Sequence, residues 1–286
     1  MILKSFTVVA CMATSCLGLL SAAHAESKLD IAIEAIIAND AQRFGIPLTN
    51  DKVNGSIFIN PTYDIYYGTF YFEGVDFGPG NPTKAEYKAA IGATPVFGNL
   101  AVDFNLQRRG RVDAPTDAAS RWLPYVTGTY TFSDQVATSL GVGYYAYDNN
   151  ALAKSFWEIY GAVDLKPTDF LKLHGEASYE PNSNYSAVAI NSDYVELVGS
   201  ATFALPKGFE VYGKVGYENY INQTLPSYTW YEAGLNYAFN EHVILGLKAH
   251  ANSLNAVDCP AQAFTTCASS VFATLTLRGK ASDLSK

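Results

Sequence analysis

Trp157-Glu158-Ile159-Tyr160-Gly161-Ala162-Val163-Asp164-Leu165, then Lys166-Pro167-Thr168-Asp169, then Phe170-Leu171-Lys172-Leu173-His174-Gly175-Glu176-Ala177-Ser178, is the stretch that decides the fold. In the first segment Ile159, Val163 and Leu165 share one parity, and Glu158, Tyr160 and Asp164 share the other. In the last, Leu171, Leu173 and Ala177 alternate with Lys172, His174, Glu176 and Ser178. Successive side chains of a strand point to opposite faces, so each segment reads as a strand with one dry and one wet face. The segment between them carries the Pro and Asp that a tight turn needs.

The same unit repeats outward in both directions. Val195, Leu197, Ala201 and Phe203 alternate with Glu196, Val198, Ser200 and Thr202; Phe209, Val211, Val215 and Tyr217 with Glu210, Tyr212, Lys214 and Glu218. Tyr231, Ala233, Leu235 and Tyr237 oppose Glu232 and Asn236, Val243, Leu245 and Leu247 oppose Lys248 and His250, and Val271, Ala273, Leu275 and Leu277 oppose Thr274, Thr276 and Arg278. Toward the N-terminus, Leu29, Ile31, Ile33, Ala35 and Ile37 oppose Asp30 and Glu34, Leu100, Val102, Phe104 and Leu106 oppose Asp103, Asn105 and Gln107, and Val126 and Tyr130 oppose Thr127, Thr129 and Thr131. From Ile65 to Asp76 both parities carry aromatics, and the facing stays open.

Tight links fall at Asn60-Pro61-Thr62, Thr94 to Asn99, Ser133-Asp134-Gln135, Lys166 to Asp169, Leu205-Pro206-Lys207-Gly208 and Asn240-Glu241, with a long link between each pair. The count is about 14 strands, an even number that puts both ends on the short-turn side. Long strands with trimmed turns at one end and long loops at the other predict an all-β, antiparallel, up-and-down transmembrane β-barrel. A soluble sandwich or lipocalin-like barrel would also alternate. Against it stand the length of the strands, full charges of both signs on the polar faces, and aromatics gathered beside the tight turns, as in Tyr130-Thr131-Phe132 and Tyr237-Ala238-Phe239.

Met1-Ile2-Leu3-Lys4, an apolar run and Ala23-His24-Ala25 read as a secretory signal peptide over residues 1–25. The expected division is then 26–279 as barrel and 280–286 as a periplasmic C-terminal tail. Without Lys4, the 19 basic residues become 18 against 27 acidic, a net charge of −9, which speaks against nucleic acid. Aromatics are 14% of the chain, with 20 tyrosines, a residue suited to a membrane interface. Beyond the leader no stretch reaches the roughly 18 apolar residues of a membrane helix, so entry into a bilayer requires a closed sheet. Cys259 and Cys267 share the last long loop. In an exported protein such a pair fits a disulfide, with metal binding and free thiols as alternatives.

Little in the sequence points to catalysis. Past the leader, histidines occur only at His174, His242 and His250, and no nucleophile elbow or helical zinc motif is present. Gly78-Pro79-Gly80 is not followed by a helix pattern, so it is not a phosphate cradle. Arg108-Arg109-Gly110-Arg111 reads as a basic cluster opening a loop, suited to lipopolysaccharide phosphates or to drawing anions to a pore mouth. The expected pore-lining residues are Asp103, Glu158, Asp164, Lys172, Glu176, Glu196, Glu210, Lys214, Glu232, Lys248 and Arg278, joined by Asp30, Glu34, Lys88 and Glu218. Their acid excess suggests a preference for cations.

From Glu158 onward the chain resembles the TorF family of outer-membrane porins. The resemblance is carried by Glu158-Ile159-Tyr160-Gly161, Tyr194-Val195-Glu196, Leu205-Pro206-Lys207-Gly208-Phe209, Val215-Gly216-Tyr217, and Tyr228-Thr229 with Tyr231, Gly234 and Tyr237. Asn39-Asp40 with Arg43-Phe44-Gly45-Ile46 is similar to the family's Asp-Tyr and Arg-Gly segment, with aromatic and arginine exchanged and Ala41 in place of the tyrosine. The resemblance implies about 12 strands, with the hairpin from Arg121 to Tyr147 as an added pair, and a porin in the outer membrane. Barrels of this kind commonly end on an aromatic residue; here Gly279 to Lys286 follows, so an assembly signal would lie within Val271 to Leu277.

The function expected is passive diffusion of small hydrophilic solutes or ions through a charged lumen, without cofactor or catalysis. Its partners would be outer-membrane lipid and lipopolysaccharide, the solutes and the barrel-assembly machinery, and a homo-oligomer is compatible with it. The rival readings are a closed structural or adhesive barrel acting through its loops, and a barrel lipase or protease.

Overall fold

The computed structural model describes residues 29–40, 42–43, 46–49, 52–76, 83–113, 120–148, 154–183, 192–221, 226–254 and 269–285. Fourteen strands form one antiparallel ring. They are β1 (Asp30–Ala38), β2 (Asn54–Tyr63), β3 (Tyr66–Gly74), β4 (Ala85–Ala93), β5 (Leu100–Val112), β6 (Arg121–Ser133), β7 (Val136–Tyr147), β8 (Phe156–Thr168), β9 (Leu171–Ser183), β10 (Ser192–Ala204), β11 (Phe209–Ile221), β12 (Tyr228–Ala238), β13 (Val243–Asn252) and β14 (Ser270–Lys280). Each pairs with its sequence neighbours, and β1 pairs with β14, with Glu34 opposite Arg278 and Ile36 opposite Thr276. Closure leaves no edge, which is the condition for a sheet to stand in hydrocarbon. The hairpin β6–β7 takes its full place in the ring, so the count is 14 and not 12.

The wall is turned inside out relative to a soluble domain. Leu140 is 69% exposed and Ile91 68%, whereas Glu158 and Glu218 are 2% and 1% exposed. On most strands the parity richer in large apolar side chains faces out and the parity richer in charge faces the lumen, though Leu123, Val198, Ile244 and Phe272 are buried on the inward parity. Tyr63, Tyr66, Phe97, Phe132, Phe170 and Phe239 are exposed at the short-turn end, and Trp122, Trp157 and Tyr231 nearer the other mouth. Two aromatic bands around an apolar belt are the surface that fits both interfaces of a bilayer.

The region with aromatics on both parities resolves cleanly. Tyr66, Phe70 and Phe72 are exposed on the outer face, while Glu73 is buried on the opposite parity with Tyr67 and Tyr71. The expected turn at Asn60-Pro61-Thr62 is not one: all three lie in β2, and the turn is Asp64-Ile65. Pro61, opposite Gly68, has no N–H to offer, and the Gly68 carbonyl instead accepts from Asn60 Nδ2 at 2.6 Å. A side-chain amide thus stands in for the missing ladder donor, so the proline does not end the strand.

The two ends of the chain's described part meet at the short-turn side. After β14, Ala281–Ser285 forms a short 3-10 helix, and Ser282 N donates to Asp30 Oδ1 at 3.1 Å. Residues 1–25 and the pair Cys259 and Cys267 lie outside the described residues.

Candidate functional site

The lumen is the concave feature that the ring creates, and period-two alternation aims one residue in two at it. Asp103, Glu158, Asp164, Lys172, Glu176, Glu196, Glu210, Lys214, Glu232, Lys248 and Arg278 all fall on the inward parity of their strands. They do not form one cluster. Arg278 Nε donates to the Glu241 carbonyl at 3.0 Å and so sits at the short-turn rim. Asp103 accepts from Tyr67 Oη at 2.8 Å and from Thr94 Oγ1 at 2.9 Å on the β3–β5 side. His174 lies between Asp164 and Glu176, with Nδ1 2.7 Å from Asp164 Oδ1 and Nε2 3.1 Å from Glu176 Oε2.

The densest group lines β8 to β12. Register makes Glu196 and Glu218 direct cross-strand partners. Tyr160 faces Ser178, which places Glu158 level with Glu180 on the next strand. Three of these carboxylates, Glu158, Glu180 and Glu218, meet neutral donors. Tyr145 Oη donates to Glu158 Oε2 at 3.2 Å, Ser183 Oγ to Glu180 Oε2 at 2.8 Å, and Tyr194 Oη and Trp230 Nε1 to Glu218, the latter at 3.3 Å. Lower on the same wall, Tyr212 Oη donates to Glu232 Oε1 at 2.7 Å and Asn236 Nδ2 to Glu210 Oε1 at 3.0 Å. Such contacts satisfy lone pairs without cancelling charge.

The basic cluster is not in a loop. Arg108, Arg109 and Arg111 are the last turns of β5, which runs on to Val112 because Lys88, Arg109, Glu86 and Arg111 continue the ladder as facing polar pairs. Alternation then splits the cluster. Arg108 faces out, ion-paired with Asp148 and stacked 5.3 Å from the Trp122 ring centroid. Hydrogen bonding to Arg108 holds the Asp148 carboxyl below its usual range. Arg109 and Arg111 face in, and Arg111 Nε donates to Glu86 Oε1 at 2.7 Å. Arg121, on β6, lies over the rings of Tyr145 and Tyr147. Cations thus gather on β4 to β6 and carboxylates on β8 to β12.

The first long link does not stay at the rim. Within it Gln42–Arg43 pairs antiparallel with Ile46–Pro47. Arg43 Nη2 lies 2.6 Å from Glu86 Oε2, and Ile46 is buried with Val198, Tyr228 and Trp230. Leu48, Thr49 and Asp40 are buried to within 3% as well. None of these contacts was readable from the sequence. Glu73 was missed as a partner because the facing of its segment was open and Arg43 lies in a link. Glu86 shares the parity of Lys88, and Glu180 that of Glu176, so both could have been named. Among the described residues no group of three or more His, Cys, Asp or Glu is placed to hold a metal ion.

No protein-family model matches the chain, and no curated protein matches it. Among solved structures, a porin refined at 1.8 Å superposes with a TM-score of 0.50 at 12% identity, over 89% of this chain and 100% of that one. The fold is porin-like. Outer-membrane expressed OmpT of Vibrio cholerae gives the same TM-score of 0.50 at 10% identity, covering 88% of this chain and 97% of that one. At these identities the likeness is one of architecture, and the resemblance to the TorF family rests on the residues quoted for it.

Proposed function

We propose that the protein is an outer-membrane channel that passes small hydrophilic solutes and ions by diffusion, without catalysis, and prefers cations. The observation that carries this reading is the combination of a closed ring, an apolar outer belt between aromatic bands, and an inward face set with charges. A hydrated interior would give these inward carboxylates a use that offsets their desolvation. The chain would be exported by the leader at residues 1–25, with the short turns and the 280–286 tail in the periplasm and Cys259 and Cys267 bridged outside. Membership of the TorF family of porins accords with this assignment. Lipid and lipopolysaccharide would meet the outer belt, the barrel-assembly machinery would insert it, and association of several copies is compatible with it.

The preference for cations follows from the wall of Glu158, Glu180, Glu196 and Glu218, of which Glu158, Glu180 and Glu218 accept from neutral donors. Rings and walls of one charge select the opposite ion. Planar-bilayer recording of the refolded protein tests the reading: discrete conductance steps are expected, and their absence removes it. A second reading, a blocked structural barrel, draws support from the buried link at the long-loop mouth. Liposome swelling in sugars separates the two, because only an open pore gives size-dependent swelling.

A further inference from the structure

Three adjacent strands bring oxygen-bearing side chains into one cross-strand row. Ser178 on β9 is the register partner of Glu196 on β10, and Glu196 is that of Glu218 on β11. All three are buried on the inward parity, Ser178 and Glu196 at 7% exposure and Glu218 at 1%. Tyr160 and Tyr228 continue the row on either side.

Glu196 differs from its neighbours. The charged groups that act on it most strongly are Glu218, Glu176 and Glu180, with Lys214 as the cation. Each of those three carboxylates has a partner. Glu176 Oε2 lies 3.1 Å from His174 Nε2, Glu180 accepts from Ser183 Oγ at 2.8 Å, and Glu218 accepts from Tyr194 Oη and Trp230 Nε1. Lys214 Nζ is seated over the Trp230 ring, 5.0 Å from its centroid. Neither Glu196 nor Ser178 has a side-chain hydrogen-bond partner among the described residues. A carboxylate more than nine-tenths buried without a donor is costly, and such a group calls for an ion, a proton or a water to complete it.

The spacing selects among these. Neighbouring strands lie about 4.8 Å apart, and calcium binds oxygen at about 2.4 Å, half that distance. An ion midway between two strands of the row therefore meets oxygens from both. Magnesium, at about 2.0–2.1 Å, would have to draw the side chains together. The donors are all oxygen and two of them are carboxylates, the hard set that suits calcium. The 7% exposure left at Ser178 and Glu196 admits a small ion with its water and excludes an organic cation. Two carboxylates and a hydroxyl are fewer ligands than the roughly 6–8 oxygens calcium takes, so water completes the shell.

We propose that Ser178, Glu196 and Glu218 form a calcium site on the lumen wall, with Glu196 as its anchoring ligand. Tyr194 and Trp230 hold Glu218 by their hydrogen bonds and so orient it toward the ion. Bound calcium offsets the repulsion between the opposed carboxylates, which otherwise weakens the ladder. The site belongs to the charged inward face on which the channel reading rests, and ion binding there does not require that the bore conduct.

The test uses the full-length refolded protein, stripped of metal with EDTA and titrated with CaCl2 or MgCl2. Calorimetry counts the ions, and emission from Trp230, read with Trp122 and Trp157 replaced by Phe, reports on the site through its bond to Glu218. Circular dichroism and heat-dependent gel migration establish that each variant forms the barrel. The parent is expected to bind calcium saturably with a shift in Trp230 emission, and magnesium about tenfold more weakly. Glu196→Gln, which keeps the side-chain volume, is expected to weaken calcium binding by about tenfold or more, because affinity follows ligand charge. Ser178→Ala is expected to weaken it less, and Asp169→Asn, which removes an exposed carboxylate at a short turn, to match the parent. A parent that takes up no calcium, or whose affinity Glu196→Gln leaves unchanged, overturns the site and leaves the channel reading to its own test. Magnesium bound as tightly as calcium overturns the assignment to calcium. Calcium binding that Glu196→Gln abolishes, in a protein silent in planar bilayers, upholds the site and overturns the channel.

Discussion

Glu196 and Glu218 face each other directly across the β10–β11 ladder, both inside the barrel, at 7% and 1% exposure. Like charges at directly opposed positions destabilise a sheet, so the pair opposes stability at that point. Its use must lie in the lumen. The double variant Glu196→Gln/Glu218→Gln is expected to keep its conductance steps and to lower cation-over-anion permeability by roughly twofold or more. The reversal potential across a KCl gradient checks this; an unchanged value would place the selecting charges elsewhere.

Leu247 and Lys248 are neighbours on β13 that meet different media. Leu247 is 53% exposed on the outer face, between Leu235 and Ala273 in register, and Lys248 is turned inward opposite Phe272. Leu247→Arg is expected to lower the free energy of folding into lipid vesicles by about 2–4 kcal/mol, the cost of a cation near the bilayer midplane. Lys248→Gln should change it little and shift selectivity instead. Urea titration of vesicle-folded protein measures both, and equal effects would argue that Leu247 does not face hydrocarbon.

Gly216 marks a close approach. A Cβ there would fall 2.1 Å from Trp230 Cε2, so the indole lies flat on the glycine in the next strand. Gly216→Ala must push Trp230 off its place, loosening the seat of Ile46 and the donor to Glu218 together. The expected loss is about 1–3 kcal/mol, the usual effect of overpacking. A red shift of tryptophan emission, read in a background with Trp122 and Trp157 replaced by Phe, would accompany it.

Arg108 and Arg111 stand three residues apart in β5 and should separate in experiment. Arg108 lies on the outer face with Asp148 and Trp122, where an exposed ion pair is worth about 0–1 kcal/mol. Arg108→Ala should therefore leave reversal potential and conductance unchanged. Arg111→Ala removes a donor from Glu86 inside the mouth and is expected to alter both. Identical behaviour of the two variants would contradict the inward and outward assignment.

What could be read from the sequence was whatever period-two alternation carries. The strands from Glu158 onward keep most apolar and charged residues on opposite parities, with Val198, Ile244 and Phe272 as inward exceptions, and their facing follows. Between Tyr66 and Phe72 aromatics serve both faces, Tyr67 inside as a hydrogen-bond donor to Asp103 and Phe70 outside against lipid, so the pattern loses its sign. Pro61 was read as a turn because its substitute donor, Asn60 Nδ2, belongs to a side chain and leaves no mark in a propensity. Arg108 to Arg111 were read as a loop because polar residues above the hydrocarbon no longer alternate with apolar ones, though the ladder continues. The inward course of the first long link was hidden for a deeper reason. Its contacts join Arg43 to Glu86 and Ile46 to Trp230, residues brought together only by closure of the ring.

The account stands on a water-filled, cation-preferring lumen, and single-channel recording of the unaltered protein across a KCl gradient tests that most directly. The expected result is discrete current steps whose reversal potential has the sign of potassium permeating faster than chloride. A bilayer that stays silent with correctly folded protein inserted would contradict it.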